Sequence, residues 1–209
     1  MKKTYPFFLL LSISILFFDC KKDKIEKSAN DIILTQIFEC EKNIHTININ
    51  YTNDLKKLNL SNFFSIDRIK KDINNIESSK IFEEYKDIEK IYFENLNHQI
   101  ENIESYINKL EPSKNLDIEK IEIYRYRLDN LNTELKEIKK LSKESLSIIE
   151  KYLKLTKKCN YKIINDNLVF EDEICNLEFL SLSVTFLSYE INESRYKKSI
   201  ENINYRILD

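Results

Sequence analysis

Residues 65–112 read SIDRIKKDINNIESSKIFEEYKDIEKIYFENLNHQIENIESYINKLEP, and the spacing inside this stretch decides the fold. Apolar side chains recur at Ile66, Ile69, Ile73, Ile76, Ile81, Tyr85, Ile88, Tyr92, Leu96, Ile100, Ile103, Ile107 and Leu110. The mean step is about 3.67 residues, the period of a helix and not the two-residue alternation of a strand. Ser65 is placed to cap the start, and Pro112 followed by Ser113, Lys114 and Asn115 ends the run. One unbroken helix over this stretch is roughly 65 Å long at 1.5 Å per residue. An 11/3 step also predicts a nearly straight or slightly right-handed packing seam.

Working outward, the spacing predicts a third helix from about Leu116 to Lys158. Its stripe is Ile121, Tyr124, Leu128, Leu131, Leu135 and Ile138, then Leu141, Leu146, Ile149 and Leu153. The turn at Pro112 makes the second and third helices a hairpin of about equal arms. Upstream, Ile33, Ile37, Cys40 and Ile44 keep helical steps behind a cap at Asn30 or Asp31. Residues 45–64 are rich in Asn, Thr and Ser and predict no more than a short helical turn near Leu55–Leu60. Residues 160–167 read as a break, with Asn165-Asp166-Asn167 as the turn signal. Downstream, Leu180, Leu182, Val184 and Phe186 alternate like a strand, but Leu177, Leu180, Val184, Leu187 and Ile191 keep helical spacing. Tyr196, Ile200, Ile203 and Ile207 extend it, so the longer pattern predicts a helix. The expectation is an all-α fold, an elongated antiparallel bundle of three long helices plus a shorter N-terminal helix, over residues 31–209.

The 209-residue chain contains no glycine and only two prolines, Pro6 and Pro112. That removes Gly-rich phosphate loops, dinucleotide fingerprints and the Gly-x-Ser-x-Gly nucleophile elbow. It also makes tight two-residue hairpins hard to build. The formal net charge is −2, so no basic surplus points to nucleic acid. Ile, Lys and Asn number 32, 28 and 23, a bias that matches A+T-rich codons and explains why Ile fills the apolar positions.

The first residues form an address. Lys2 and Lys3 precede an apolar run from Phe7 to Phe18, interrupted by Ser12 and Ser14. Twelve residues are too few for a bilayer span of about 20 but fit a secretory core region. An uncleaved anchor is the plainer alternative. No small-x-small cleavage site follows; Phe17-Phe18-Asp19-Cys20 does. This arrangement resembles a bacterial lipoprotein precursor, of the relaxed-motif kind met among spirochaete-type helical envelope lipoproteins. The family prefers Leu at −3 and a small residue at −1, where this chain has Phe17 and Asp19. The resemblance implies that residues 1–19 are a signal peptide and that Cys20 is lipidated as the mature N-terminus. It also implies that residues 20–30 are a tether to the bundle and that the chain is held on the cell envelope, at the outer membrane or surface more than the inner membrane.

Chemistry-bearing residues are sparse. Glu41/His45 and Glu94/His98 each put a carboxylate and an imidazole on one helix face, yet neither supplies a full metal-ligand set, and they read as surface pairs. Acid pairs such as Glu83-Glu84 read as solvated faces. No metal and no cofactor is expected, and no catalysis. If Cys20 carries lipid, three cysteines remain. Cys159 and Cys175 flank the predicted break and are the favoured disulfide, worth about 3 kcal/mol for such a loop. Cys40 bridged to either is the competing arrangement. Four of the five arginines adjoin tyrosines: Tyr124-Arg125-Tyr126-Arg127, Arg195-Tyr196 and Tyr205-Arg206. In an antiparallel bundle the first and last of these groups share one end. Tyr124, Arg125, Tyr126, Arg127, Tyr205 and Arg206 are thus the candidate protein-contact patch, because Tyr and Arg are enriched in binding hot spots. The plainer reading is that Tyr124 and Tyr196 pack in the core with arginines solvated above them. The functional expectation is a lipid-anchored envelope protein that binds another macromolecule, adhesin-like or host-protein-binding. A periplasm-facing structural or assembly lipoprotein is the alternative, and the oligomeric state stays open.

Overall fold

The computed structural model describes residues 28–60, 63–203 and 207–208, the side chains of residues 183–193 apart. The expected signal peptide, Cys20, most of the tether, Tyr205 and Arg206 lie outside the described residues. The chain is mostly helical. In order it forms α1 (Ala29–Leu58), α2 (Ile66–Lys71), α3 (Ile76–Ile107), α4 (Ile118–Lys158), β1 (Tyr161–Ile164), β2 (Asn167–Phe170) and α5 (Glu173–Ile203).

Helices α1, α3, α4 and α5 run alternately up and down. Asn43 of α1 faces Gln99 of α3 near mid-length, while Asn30 at the start of α1 reaches Glu111 and Ser113 beyond the end of α3. Lys139 of α4 reaches Asn97 of α3, and Arg195 of α5 reaches Glu137 of α4. The ring closes where Glu41 of α1 accepts the backbone N–H groups of Ile207 and Leu208. One end of the bundle therefore holds the start of α1 and the α3–α4 turn, with residues 207–208 in the same half, about three helical turns in. The other end holds α2, the two strands and the start of α5.

The sequence-based expectation needs three corrections. First, α1 is as long as its neighbours, with 30 residues against 32 in α3, so there are four long helices and not three. Its later turns bury Asn48, Tyr51 and Leu58, a face that the Asn- and Thr-rich composition conceals. Its cap is Ser28, in a capping box with Asp31, in place of Asn30 or Asp31. Second, the stripe from Ile66 to Leu110 is not one helix. Ser65 caps the six-residue α2, and the chain turns over Asp72–Asn75 before α3 begins. Asn75 is left-handed, at φ 53°, and Ile73 and Ile76 are exposed. The buried Asp72 fixes this turn. Its Oδ1 accepts the Glu77 N–H at 3.1 Å and its Oδ2 the Ser78 N–H at 2.6 Å, so two orphan donors at the start of α3 are satisfied. Third, residues 161–170 form a β-hairpin whose turn residues, Asn165 and Asp166, both have positive φ. Asn and Asp tolerate that region far better than other non-glycine residues, so the hairpin forms in a glycine-free chain.

The strand-like run at Leu180–Phe186 is part of α5, as the longer helical period predicts. Cys159 and Cys175 form a disulfide with Cα atoms 6.2 Å apart, and Cys40 is a buried thiol. Two apolar cores stack along the bundle. One runs from Ile37 and Leu116 to Leu96 and Ile138, and the other gathers Leu58, Phe63, Phe82, Ile149 and Tyr152. Under the hairpin, Leu155, Phe170 and Leu182 pack around the disulfide.

Candidate functional site

The junction of the two cores is polar. Glu89 occupies the core-facing row Phe82, Tyr85, Glu89, Tyr92, Leu96 of α3 and is 3% exposed. Each of the other long helices aims a hydroxyl at it. Tyr51 of α1 donates to Oε1; Tyr196 of α5 lies 3.0 Å from Oε1 and 3.2 Å from Oε2; Ser142 of α4 donates to Oε2 at 2.5 Å. Tyr85 adds a fourth hydroxyl. Tyr51 and Tyr196 also hydrogen-bond each other. Next to them Tyr92 donates to Asn48 Oδ1 at 2.9 Å, and the Tyr51 and Tyr92 rings stack with centroids 3.9 Å apart.

Burial pushes the Glu89 carboxyl above its ordinary value, against the pull of the Ser142, Tyr51, Tyr196 and Tyr85 hydroxyls. Burial, the mutual proximity of the phenols and the Glu89 charge hold Tyr51 and Tyr196 well above 10.0. Both phenols are thus protonated donors at neutral pH. The carboxylate is enclosed by its donors, so this layer pins four helices together.

A cleft of about 370 Å³ opens beside the layer, between the second half of α1 and the second half of α5. Thr52, Leu55, Lys56, Asn59 and Leu60 form one wall, Tyr196, Lys197 and Ile200 the other, with Tyr85 and Ser145 at the bottom.

The arginine–tyrosine group at the start of α4 is divided in its roles. Arg127 Nη1 donates to the Ile207 carbonyl at 3.1 Å, which holds residue 207 against the third turn of α4. That guanidinium serves the fold. Tyr124 is half-buried against the core, Arg125 pairs with Glu122 on its own helix, and Tyr126 is exposed. Arg195 pairs with Glu137, and Tyr196 belongs to the Glu89 layer. Glu41 holds residues 207 and 208, and His98 contacts Asn102. Among the described residues, no three His, Cys, Asp or Glu side chains are grouped to hold a metal ion.

The end opposite residue 28 carries exposed apolar side chains. Ile73 and Ile76 lie in and after the α2–α3 turn, Ile164 and Val169 on the outer face of the hairpin, and Ile174 and Leu177 on the first turns of α5. The hairpin is tied to that turn by the Tyr161 hydroxyl on the Ile73 carbonyl, at 3.1 Å, and by Lys70 on Asp166, at 2.7 Å. The spacing of residues 66–110 conceals this end, because Ile73 and Ile76 fit the stripe. The Glu89 layer does leave a trace in the sequence: an acid at the centre of a core-facing row.

The chain matches no known protein family, no protein of described function and no solved structure with which it was compared. No described helix is long and apolar enough to cross a membrane.

Proposed function

We propose that this chain is a lipid-anchored bacterial envelope protein, of the spirochaete-type helical plan, that acts by binding another macromolecule and catalyses no reaction. Cys20 carries the lipid, and the outer membrane or cell surface is its place. The observation that bears most weight is the position of the exposed apolar residues. Residue 28 begins the bundle at one end, so a tether from Cys20 leads to that end. Ile73, Ile76, Ile164, Val169, Ile174 and Leu177 are exposed at the opposite end. A bundle roughly 60 Å long, by the 41 residues of α4, would carry them away from the membrane. Exposed apolar surface rimmed by charge, such as the Lys162–Glu171 and Lys158–Glu178 pairs, is the composition of a protein-contact face. Arg125 and Tyr126 at the anchored end are a second, smaller candidate.

Two measurements test the reading. Labelled fatty acid should enter the parent chain and not Cys20→Ala, and equal labelling would end the anchoring proposal. A pull-down with the parent chain should lose its partner when Ile76 and Ile174 are changed to Asp, with helicity and melting unchanged. Retention of the partner would remove the far end as the contact face. Protease treatment of intact cells separates a surface protein, which is cleaved, from a periplasm-facing assembly lipoprotein, which is spared.

A further inference from the structure

We propose that the tethered end of the bundle sits on the bilayer surface, with Ile32 and Ile118 in the boundary between headgroups and acyl chains; this rests on the reading of Cys20 as the lipid anchor. Seven residues separate Cys20 from Ser28, where the bundle begins. Fully extended, that stretch spans roughly 28 Å, so the anchor keeps this end beside the bilayer. A linker so short sets an effective concentration on the order of millimolar. A contact of two side chains, too weak to hold separate molecules together, is then enough. The far end also exposes apolar side chains, but the 41 residues of α4 place it roughly 60 Å away, beyond that reach.

Two exposed isoleucines stand where such a surface meets the fold. Ile32 is on the first turn of α1, and Ile118 opens α4. Asn30 joins the two places: its side chain donates to the Glu111 carbonyl at 2.7 Å and lies 3.3 Å from Ser113 Oγ, in the turn that leads into α4. Helix α3 touches both α1 and α4, through Asn43–Gln99 and Lys139–Asn97. Helix α5 also touches both, through Tyr51–Tyr196 and Arg195–Glu137. Helices α1 and α4 are therefore diagonal in the bundle, and the two isoleucines make a two-point seat across its end. Asp31 and Asp117, in the same turns, each engage a carboxylate oxygen with a backbone N–H, of Ser28 and of Lys120. The tether sequence sets Lys21, Lys22, Lys24 and Lys27 against Asp23 and Glu26, a surplus of the sign that anionic headgroups attract.

The test uses the full lipidated chain in a bilayer disc of mixed zwitterionic and anionic lipid, some of it carrying a nitroxide high on the acyl chain. The sequence contains no tryptophan, so Ile118→Trp and Ile174→Trp each give one reporter at an exposed position. The lipid nitroxide should quench Ile118→Trp at least threefold more than Ile174→Trp. Adding Ile32→Asp, with helicity and melting unchanged, should lower the quenching of Ile118→Trp about twofold. A chain that does not join the disc at all ends the lipid-anchor reading and this seat with it. A chain held in the disc overturns the seat alone in three cases: equal quenching of the two reporters, no effect of Ile32→Asp, or Ile118→Trp shielded from both lipid nitroxide and aqueous iodide, which would mean that the chain itself covers this end.

Discussion

Tyr196 sets its hydroxyl 3.0 Å from Glu89 Oε1, across 107 residues of chain. The contact forms only when the last helix has docked, so it reports on the assembly of the whole bundle. Its physical use is register. Rows of Ile and Leu pack against each other almost as well after a slip of one turn, because dispersion and area burial are not directional. A buried carboxylate with hydroxyls from each of the other three long helices tolerates no such slip, since every displaced donor or acceptor is left unpaired in a dry core.

Removing the carboxylate should therefore cost much more than its volume. Glu89→Ala leaves the Tyr51, Tyr196 and Ser142 hydroxyls without their acceptor and should lower stability by about 3 kcal/mol. Glu89→Gln keeps one acceptor oxygen and should lose less. The variants also differ with pH. The folded-state carboxyl is raised above 4.5, so the native state keeps its proton longer than the unfolded chain does. Its contribution is complete below that value and declines as pH rises through the raised one. Urea midpoints measured upward from pH 4.5 should fall in the parent and lose this component in Glu89→Gln. Parallel curves would contradict the assignment.

Asp72 has the opposite sign. Burial works to raise its carboxyl, but the Ser78, Glu77 and Ile76 hydrogen bonds outweigh burial and hold it below 3.8. Its contribution is complete above that value and is lost as pH falls toward the depressed one. Asp72→Ala should cost about 1–2 kcal/mol at neutral pH, the worth of a helix cap. The gap from the parent should close in acid below pH 3.8. A constant gap across the acid range would show that the side chain acts by packing alone.

These two residues also show how much was legible in the sequence. The helical period identified the bundle, the Pro112 turn and α4 to within two residues, because long apolar rows outvote local noise. The Asp72–Asn75 turn was illegible because Ile73 and Ile76 keep the stripe in phase while their side chains face solvent. The second half of α1 was illegible for the converse reason: Asn48 and Tyr51 are core residues with polar tips, satisfied by Tyr92 and Glu89. The hairpin was hidden because Asn165 and Asp166 do what glycine usually does. Of the candidate sites, the Cys159 and Cys175 pair could be found from flanking positions alone. Glu89 left only its place in a core-facing row, because its meaning rests on three partners far away in the chain.

The disulfide should act locally. It closes a loop of separation 16 around the hairpin, for which the chain-entropy estimate is about 3 kcal/mol. Reduction should lower the melting midpoint. It should also speed amide exchange first in β1, β2 and the opening turns of α5, while the middle of α3 stays protected. Uniform loss of protection along all four long helices would mean that the bridge supports the entire bundle.

The last expectation separates two arginines that stand two residues apart. Among the described residues Arg125 pairs with Glu122 on its own exposed helix face, an interaction worth a few tenths of a kcal/mol at most. Arg127 instead donates to the carbonyl of Ile207, a residue that is 1% exposed and packs in the same core as Ile37 and Leu116. A charged donor on a buried carbonyl is worth about 1.5–3 kcal/mol, and its loss frees the end that Glu41 also holds. Arg127→Ala should accordingly lower the denaturant midpoint and expose residues 207–208 to carboxypeptidase, while Arg125→Ala leaves both unchanged. Arg127→Lys should recover only part of the effect, because a single ammonium lacks the planar, many-donor reach of guanidinium. Partner affinity must be read on Arg125→Ala and a Tyr126 variant, since any loss in Arg127→Ala would mix binding with detachment of the C-terminal residues. Equal stability of the two alanine variants would mean that the Ile207 contact adds nothing, and would return Arg127 to the candidate contact surface.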